Sequence, residues 1–164
     1  MIRVRYTEPS LSDVAEFAAV MREADRRELK RWTGNGPEYE LRRAVELSRH
    51  CLMASLPDGA PLSMFGVAES SILESEAVVW ELSTVHVERH RFLFARESRR
   101  MFEAMCRLMP HTAEFSNYVD MDYARAVSWI EWLGGFISLE GSFRGACGGT
   151  FGRFTIPNPH YRED

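Results

Sequence analysis

The pattern of apolar and polar residues changes period near the middle of the chain. Residues 77–87 are dense in β-branched and aromatic side chains and contain no Gly or Pro, which predicts a long, largely buried strand. From Phe94 onward apolar and small residues recur at helical spacing. A short basic turn joins the two elements, and backbone N–H groups at such a helix start can receive an anion. One core between strand and helix is predicted to contain Trp80, Leu82, Val85 and Phe102.

Upstream, the pattern predicts a short strand and two helices. Residues 2–6 alternate between apolar and basic side chains, as in a strand with one buried face. A serine-capped helix follows, because apolar residues then recur every three or four positions up to Met21. If this helix continues, Asp25 and Glu28 fall on its apolar stripe. A second helix is predicted beyond a Gly-rich breaker, up to about His50.

The rest of the chain predicts strands connected by tight turns and two further helices. Asp-Gly within residues 57–61 supplies the positive φ of a hairpin turn. Gly66 is expected at a bulge or a close approach, and a turn over residues 70–76 leads into the central strand. The predicted order is strand, two helices, three strands, helix, strand, helix and two strands.

Length and composition are typical of one globular domain. The chain has 164 residues, of which 45% are hydrophobic and 27% are charged, so disordered and fibrous classes are excluded. There are no internal repeats and no linker. Residues 1–156 are therefore predicted to form a single domain, followed by a mobile tail over residues 157–164. The net charge of -4 gives no global attraction to nucleic acid or to an acidic membrane.

Cysteine usage and hydropathy favour a cytoplasmic protein. The three cysteines are far apart, and no Cys/His pair has metal-ligand spacing, so no metal site is predicted. No apolar run approaches the ~18 residues of a membrane span. The amino terminus alternates like a strand and does not open with a signal segment.

The order of elements resembles the fold of the GNAT acyltransferases over almost the whole chain. Local patterns are similar to those of phage-encoded GNAT-like proteins related to internal virion protein A of short-tailed phages. These patterns are Arg22-x-x-Asp25-x-x-Glu28, Met64-Phe-Gly66, Trp80-Glu-Leu-Ser-Thr84, Arg96-x-Ser98, Asn117-Tyr-Val-Asp120, Trp129-Ile-Glu-Trp-Leu-Gly134 and Phe151-Gly-Arg-Phe154. The resemblance implies an α/β (α+β) fold, with a mixed, mostly antiparallel twisted sheet of about six to seven strands flanked by about four helices.

The same resemblance bears on the cofactor. In active GNAT enzymes the fourth strand parts from the fifth and pairs with the pantetheine arm of acyl-CoA, and a glycine-containing loop wraps the pyrophosphate. The corresponding residues 91–96 keep an arginine at each end and lack both glycines. The loop is therefore either degenerate, with no cofactor bound, or part of a working acetyl-CoA site. The resemblance implies that such a site would contain Val85, Val87, Arg89, Arg91, Arg96 and Ser98.

A working enzyme would also need groups that transfer protons. Glu81 or His86 on the central strand could deprotonate an amine directly or through water, although a Glu or His on a strand is more often a structural residue. The tyrosine that many family members use falls near Ile130 here, which leaves Tyr118 and Tyr123 as the nearby phenols, with Tyr123 as the candidate acid. Asp25 and Glu28 either line the acceptor side of a groove beside the central strand or form a solvated helix end.

Three classes of function follow from these patterns. The first is a phage or prophage GNAT-fold protein with a degenerate acyl-CoA loop, acting in virion morphogenesis or host interaction through phage structural or host proteins. The second is an N-acetyltransferase that moves an acetyl group from acetyl-CoA to an amine. The third, nucleic-acid binding through the basic residues 89–100, is opposed by Glu88, Glu97 and the net charge.

Overall fold

The computed structural model describes residues 2–69 and 75–163. Within them, seven strands form one sheet: β1 (Arg5–Thr7), β2 (His50–Ser55), β3 (Pro61–Glu69), β4 (Glu76–Ser83), β5 (Glu114–Asp120), β6 (Phe136–Arg144) and β7 (Thr150–Pro157). The α-helices are α1 (Leu11–Ala19), α2 (Glu23–Thr33), α3 (Pro37–Leu47), α4 (Arg91–Leu108) and α5 (Ala124–Trp132). A 3-10 helix, Val85–Arg89, separates β4 from α4. None of the described helices is both long and apolar enough to cross a membrane.

The sheet has the order β1-β2-β3-β4-β5-β7-β6. Neighbouring strands are antiparallel except β4 and β5, which pair in parallel over Glu76–Val78 and Glu114–Ser116. Beyond these residues the two strands part. We call the gap between residues 79–83 of β4 and 117–120 of β5 the split. This mixed, mostly antiparallel sheet confirms the predicted fold class, with five described helices in place of about four.

Local sequence signals account for several element ends. Ser10 and Asp13 form a capping box at the start of α1. Gly34 ends α2 in the left-handed conformation, with φ of 78°, and Pro37 occupies the first turn of α3, where its missing N–H costs nothing. Gly59, with φ of 89°, completes the predicted hairpin turn between β2 and β3.

The first predicted helix is two helices in the structure. α1 ends at Ala19, and the chain then turns so that Met21 pairs with Thr84 as an isolated antiparallel bridge. The Val85 N–H also donates to the Val20 carbonyl at 3.0 Å. Helical periodicity could not reveal this break, because Met21 is buried whether or not the helix continues.

The central strand ends earlier than predicted. β4 stops at Ser83, and the side chain of Thr84 then accepts from the His86 N–H, which starts the 3-10 helix. Val85 and Val87, both expected in the strand, therefore lie in the 3-10 helix. The turn predicted over residues 70–76 falls largely outside the described residues.

Apolar clusters cover both faces of the sheet. Val79 of β4 packs with Phe102 in the cluster on the α4 and α5 face, whereas Trp80 and Leu82 pack in the cluster beneath α1 and α3. The single core predicted from Trp80, Leu82, Val85 and Phe102 is therefore wrong, and Val85 is 49% exposed. Because helices cover both faces of β4, its apolar residues did not indicate which face meets which helix.

Two contacts fix particular positions. A Cβ on Gly66 would lie 2.4 Å from the Trp80 indole, so the predicted close approach is confirmed and requires glycine. The first two residues of the predicted mobile tail belong to the ordered fold, because Pro157 is the last residue of β7 and Asn158 is docked. Asn158 is buried, and its amide donates to the carbonyls of Cys106, Met109 and Thr112 at the end of α4.

Candidate functional site

A cavity of about 260 Å³ lies at the open end of the split. Its polar walls come from the start of α2, from the end of β4 and from the residues around the starts of α4 and α5. The polar lining residues are Arg22, Asp25, Glu28, Glu81, Ser83, Glu88, Arg91, Tyr123 and Arg125. Phe94 and Trp129 close its apolar side, with ring centroids 5.3 Å apart.

Asp25 is held by groups from three elements. Its Oδ2 accepts from the Ser83 N–H at 2.7 Å and from the Ser83 hydroxyl at 2.8 Å. Its Oδ1 accepts from the Tyr123 hydroxyl at 2.7 Å, and the Arg22 guanidinium lies 3.6 Å away. Burial raises the pKa of Tyr123, and the Asp25 carboxylate raises it further. This network joins the start of α2 to the end of β4 and the start of α5.

The edge of β4 that faces the split is bonded to the protein at both of its ends, Val79 and Ser83. The Val79 carbonyl accepts from the Asn117 side-chain amide at 2.9 Å. The Ser83 carbonyl accepts from the Arg22 N–H at 2.9 Å, and the Ser83 N–H donates to Asp25. These groups lie at the two ends of the edge that an added strand or an extended ligand would use.

Glu81 and Glu28 lie deeper in the split. Glu81 accepts from the Ser98 hydroxyl at 2.7 Å, and Glu28 accepts from the Asp120 N–H at 3.0 Å. Burial raises the pKa of Glu81 to about 7 although hydrogen bonds to it lower the value. Burial likewise raises the pKa of Glu28 to about 7. Within the described part of the chain, neither carboxylate forms an ion pair.

The segment between β4 and α4 is organised around Glu88. This carboxylate pairs with Arg91 at 2.7 Å, with Arg125 at 3.2 Å and with Arg22 at 3.7 Å. The bond with Arg91 lowers the pKa of Glu88. Phe92, in the first turn of α4, is 94% exposed. The arginines near this helix start are thus paired with the Glu88 carboxylate. The predicted cofactor loop would instead present its arginines to phosphate.

The structure brings part of the predicted site together. The predicted residues that line the cavity are Asp25, Glu28, Glu81, Val87, Arg91 and Tyr123. Ser98 lies behind this lining, and its hydroxyl donates to Glu81. The predicted residues outside its lining are Val85, His86, Arg89 and Arg96. The first three of these lie on the 3-10 helix, which replaces the expected strand and turn. Arg96 pairs instead with Glu97 at 2.8 Å. The roles assigned to all of these residues stay predictions.

Sequence reasoning missed four residues that shape the site. Arg22 and Trp129 stood inside the quoted patterns, but no role was assigned to them. Ser83 also stood inside a quoted pattern, and Glu88 was considered only as a charge that opposes nucleic-acid binding, because the site roles of both depend on partners distant in the chain.

No protein-family model matches the chain, and no curated protein matches its sequence. Solved structures share its fold. Diaminobutyrate acetyltransferase from Paenibacillus lautus, in complex with its substrate L-2,4-diaminobutyric acid and coenzyme A, is 12% identical with a TM-score of 0.69, and the match covers 100% of this chain and 99% of that one. Spermidine N-acetyltransferase from Vibrio cholerae, in complex with CoA and spermine, is 13% identical with a TM-score of 0.65 and coverages of 96% and 97%. Ribosomal-protein-S18-alanine N-acetyltransferase from Escherichia coli is 12% identical with a TM-score of 0.64 and coverages of 99% and 97%.

Proposed function

We propose, from the GNAT-like fold that these likenesses establish, that this chain does not use acetyl-CoA in the usual manner of that fold and acts through contacts with other proteins. Its setting would be virion morphogenesis or host interaction of a phage or prophage, with phage structural or host proteins as partners and a location in the host cytoplasm or the virion. The phage setting rests on the sequence patterns quoted above. The departure from acetyl-CoA rests on the site.

The occupied edge of β4 is the observation that carries this proposal. A pantetheine arm would have to add to that edge in the split as an extra strand. Here the Val79 carbonyl and both backbone groups of Ser83 are already bonded to Asn117, Arg22 and Asp25. A ligand that displaced them would leave a buried carboxylate short of donors, which costs about 1–3 kcal/mol or more per lost hydrogen bond. These bonds at both ends of the edge therefore oppose entry of the pantetheine arm.

The start of α4 also fits pyrophosphate poorly. Residues 91–96 contain no glycine, so backbone amides there cannot adopt the bare, positive-φ arrangement that cradles phosphate. Glu88 lies among the arginines at this point and would repel an anion. Phe94 and Trp129 fill the adjoining apolar wall.

A binding titration tests the absence of acetyl-CoA binding. A ligand at a hundred times its dissociation constant stabilises a fold by roughly 2.7 kcal/mol, which shifts the melting temperature by several degrees. We expect no such shift at about 1 mM acetyl-CoA. A reproducible shift that Arg91→Ala abolishes and Arg107→Ala preserves would overturn the proposal. Arg107 is the matched control, because it pairs with Glu103 at the far end of α4.

The protein-contact role has a separate test. If the chain serves virion assembly, purified particles from its host should contain it by mass spectrometry, or deletion of its gene should lower the yield of infectious particles. Particles that lack the protein, together with an unchanged yield, would contradict this role.

The alternative, an N-acetyltransferase, is favoured by one observation. Glu81 has a pKa of about 7 inside the cavity, which suits a general base for an amine near neutral pH. His86 lies outside the lining, so Glu81 is the base that this candidate would use. The hydroxyl of Tyr123, the candidate acid, donates to Asp25. Turnover of an amine with acetyl-CoA that falls roughly 10²-fold or more in Glu81→Gln would make it the leading function.

A further inference from the structure

One edge of the sheet is formed by β1, and no described strand lies on its outer side. The opposite edge, β6, is interrupted by a register shift between Ser138 and Phe143, whereas β1 pairs with β2 in regular antiparallel register. An edge strand keeps a row of backbone N–H and C=O groups without partners. Such an edge can accept an extended segment of another chain, whose backbone then continues the sheet.

The segment that contains β1 is anchored on α4. Val4 packs in an apolar cluster with the first turns of α4, and the Tyr6 hydroxyl donates to Glu97 of the same helix. The Arg96 guanidinium donates to the Ile2 carbonyl at 3.3 Å. Alternate residues of this segment therefore face α4, and the outer edge of β1 is held in position without a partner strand.

The intervening residues carry positive charge on the other side of the edge. Arg3 and Arg5 are exposed, and neither makes an ion pair within the described part of the chain. The next carboxylates along the two strands are Glu8, which follows β1, and Asp58 in the turn after β2. Asp58 accepts from the Ala60 N–H at 3.0 Å. Negative charge on a partner is thus favoured beside residues 3 and 5.

The α4 side of the edge adds exposed apolar groups. Glu97 is the only carboxylate in residues 92–100; it is buried and is shared by Arg96 at 2.8 Å and Arg100 at 3.6 Å. Ile2 is 46% exposed, and Phe92, one turn before Arg96, is 94% exposed. Arginine and phenylalanine are both enriched at protein interfaces.

We propose that β1 binds an acidic, extended segment of a partner protein as an added strand. The partner's backbone pairs with the outer edge of β1. Its alternate acidic side chains lie against Arg3 and Arg5, and the apolar side chains between them lie against Ile2 and Phe92. The proposal gives a partner chemistry to the protein-contact role and rests on that role for its biological setting. The binding itself needs neither phage components nor acetyl-CoA.

Calorimetric titration of the intact chain tests the proposal with three capped peptides, which alternate glutamate with valine, lysine with valine, and glutamate with proline. The glutamate–valine peptide should bind with a Kd below about 100 µM and at least about tenfold more tightly than the other two. The glutamate–proline peptide keeps the charge but lacks half of the N–H donors, so it separates strand pairing from charge attraction. Hydrogen exchange gives a second readout, because an added strand should protect backbone amides of β1.

Charge reversal on the edge should weaken binding of the glutamate–valine peptide. Arg3→Glu and Arg5→Glu should each do so about tenfold or more. Arg27→Glu is the matched control and should bind like the wild type. Arg27 is exposed and has no ion pair among the described residues, and it lies on α2, which is bonded to β5 through Glu28.

Several results would each overturn the proposal. Equal binding of the glutamate–proline peptide would show charge attraction without strand pairing, and no saturable binding below about 1 mM would mean that the arginines only protect the edge. Absence of protection in β1, or binding that neither arginine variant weakens, would place the peptide elsewhere. Phosphatidylserine vesicles that bind the chain when the peptide does not would assign the arginines to a membrane surface. None of these results alters the particle assay for the virion role, so the two proposals fail separately.

Discussion

Asp25 and Glu28 lie one turn apart on α2, yet their surroundings are opposite. Asp25 accepts three hydrogen bonds from Ser83 and Tyr123 and lies beside a guanidinium. Glu28 has one backbone N–H as its hydrogen-bond donor and no cation among the described residues. The carboxylate at the open end of the split is thus bonded to groups that hold the fold together, whereas Glu28, deeper in the split, has a single donor. Their partners, more than their shared helix stripe, separate the two roles.

The largest change in stability is expected for Asp25, at the open end of the split. Asp25→Ala should lower the free energy of unfolding by about 3–5 kcal/mol, because it leaves Ser83, Tyr123 and Arg22 without their shared partner. Urea denaturation measures this change. Asp25→Asn, which keeps an acceptor and loses the charge, should cost less, about 1–3 kcal/mol. A loss below about 1 kcal/mol for the alanine variant would mean that the network does not hold the split closed.

Replacement of Glu81, deeper in the split, should change the free energy of unfolding in the opposite direction. The pKa of Glu81 is about 7 in the fold against an ordinary 4.5, so the folded state binds this proton more tightly than the unfolded chain does. The stabilisation that results is complete below pH 4.5 and is lost as pH rises to about 7. Glu81→Gln does not titrate, and it should therefore raise the free energy of unfolding at about pH 8 by on the order of 1–3 kcal/mol.

Urea denaturation at about pH 4 and about pH 8 isolates the Glu81 effect as a difference between variant and wild type. The gain should be present at the higher pH and small at the lower one. A difference that does not change with pH would show that burial of Glu81 does not control its titration.

The smallest change in stability is expected for Arg125, an exposed residue of the cavity lining. Arg125 pairs with Glu88 at 3.2 Å, but the side chains are 63% and 40% exposed, and exposed pairs contribute about 0–1 kcal/mol. Arg125→Ala should therefore change the free energy of unfolding by less than about 1 kcal/mol in the same assay. A loss of about 2 kcal/mol or more would place Arg125 in the closing network with Asp25.

Much of the fold was accessible from sequence because its signals are local. The Asp-Gly turn that ends in Gly59 was readable in the chain itself. The break after α1 was not, because the bonds that cause it come from Ser83, Thr84 and Val85, more than sixty residues away. The sequence also did not indicate on which face of the sheet Trp80 lies, since both faces of β4 are apolar.

The candidate site divides in the same way. The stripe of the first predicted helix indicated Asp25 and Glu28, and the strand pattern indicated Glu81. What distinguishes the three carboxylates is their partners, and neither Ser83 nor Tyr123 is close to α2 in sequence. Val85 and His86 were misplaced because a single capping contact at Thr84 ends the strand, and strand propensity does not register such a contact.

The close fit of Gly66 beneath the Trp80 indole constrains how this sequence can change over evolutionary time. A side chain at position 66 would meet the ring at 2.4 Å, whereas a smaller residue at position 80 would leave a void that position 66 could then fill. Substitution at the two sites therefore has an order: the ring must shrink before the glycine can grow. A lineage that lost Trp80 and then gained a side chain at position 66 could not regain the tryptophan without first restoring the glycine.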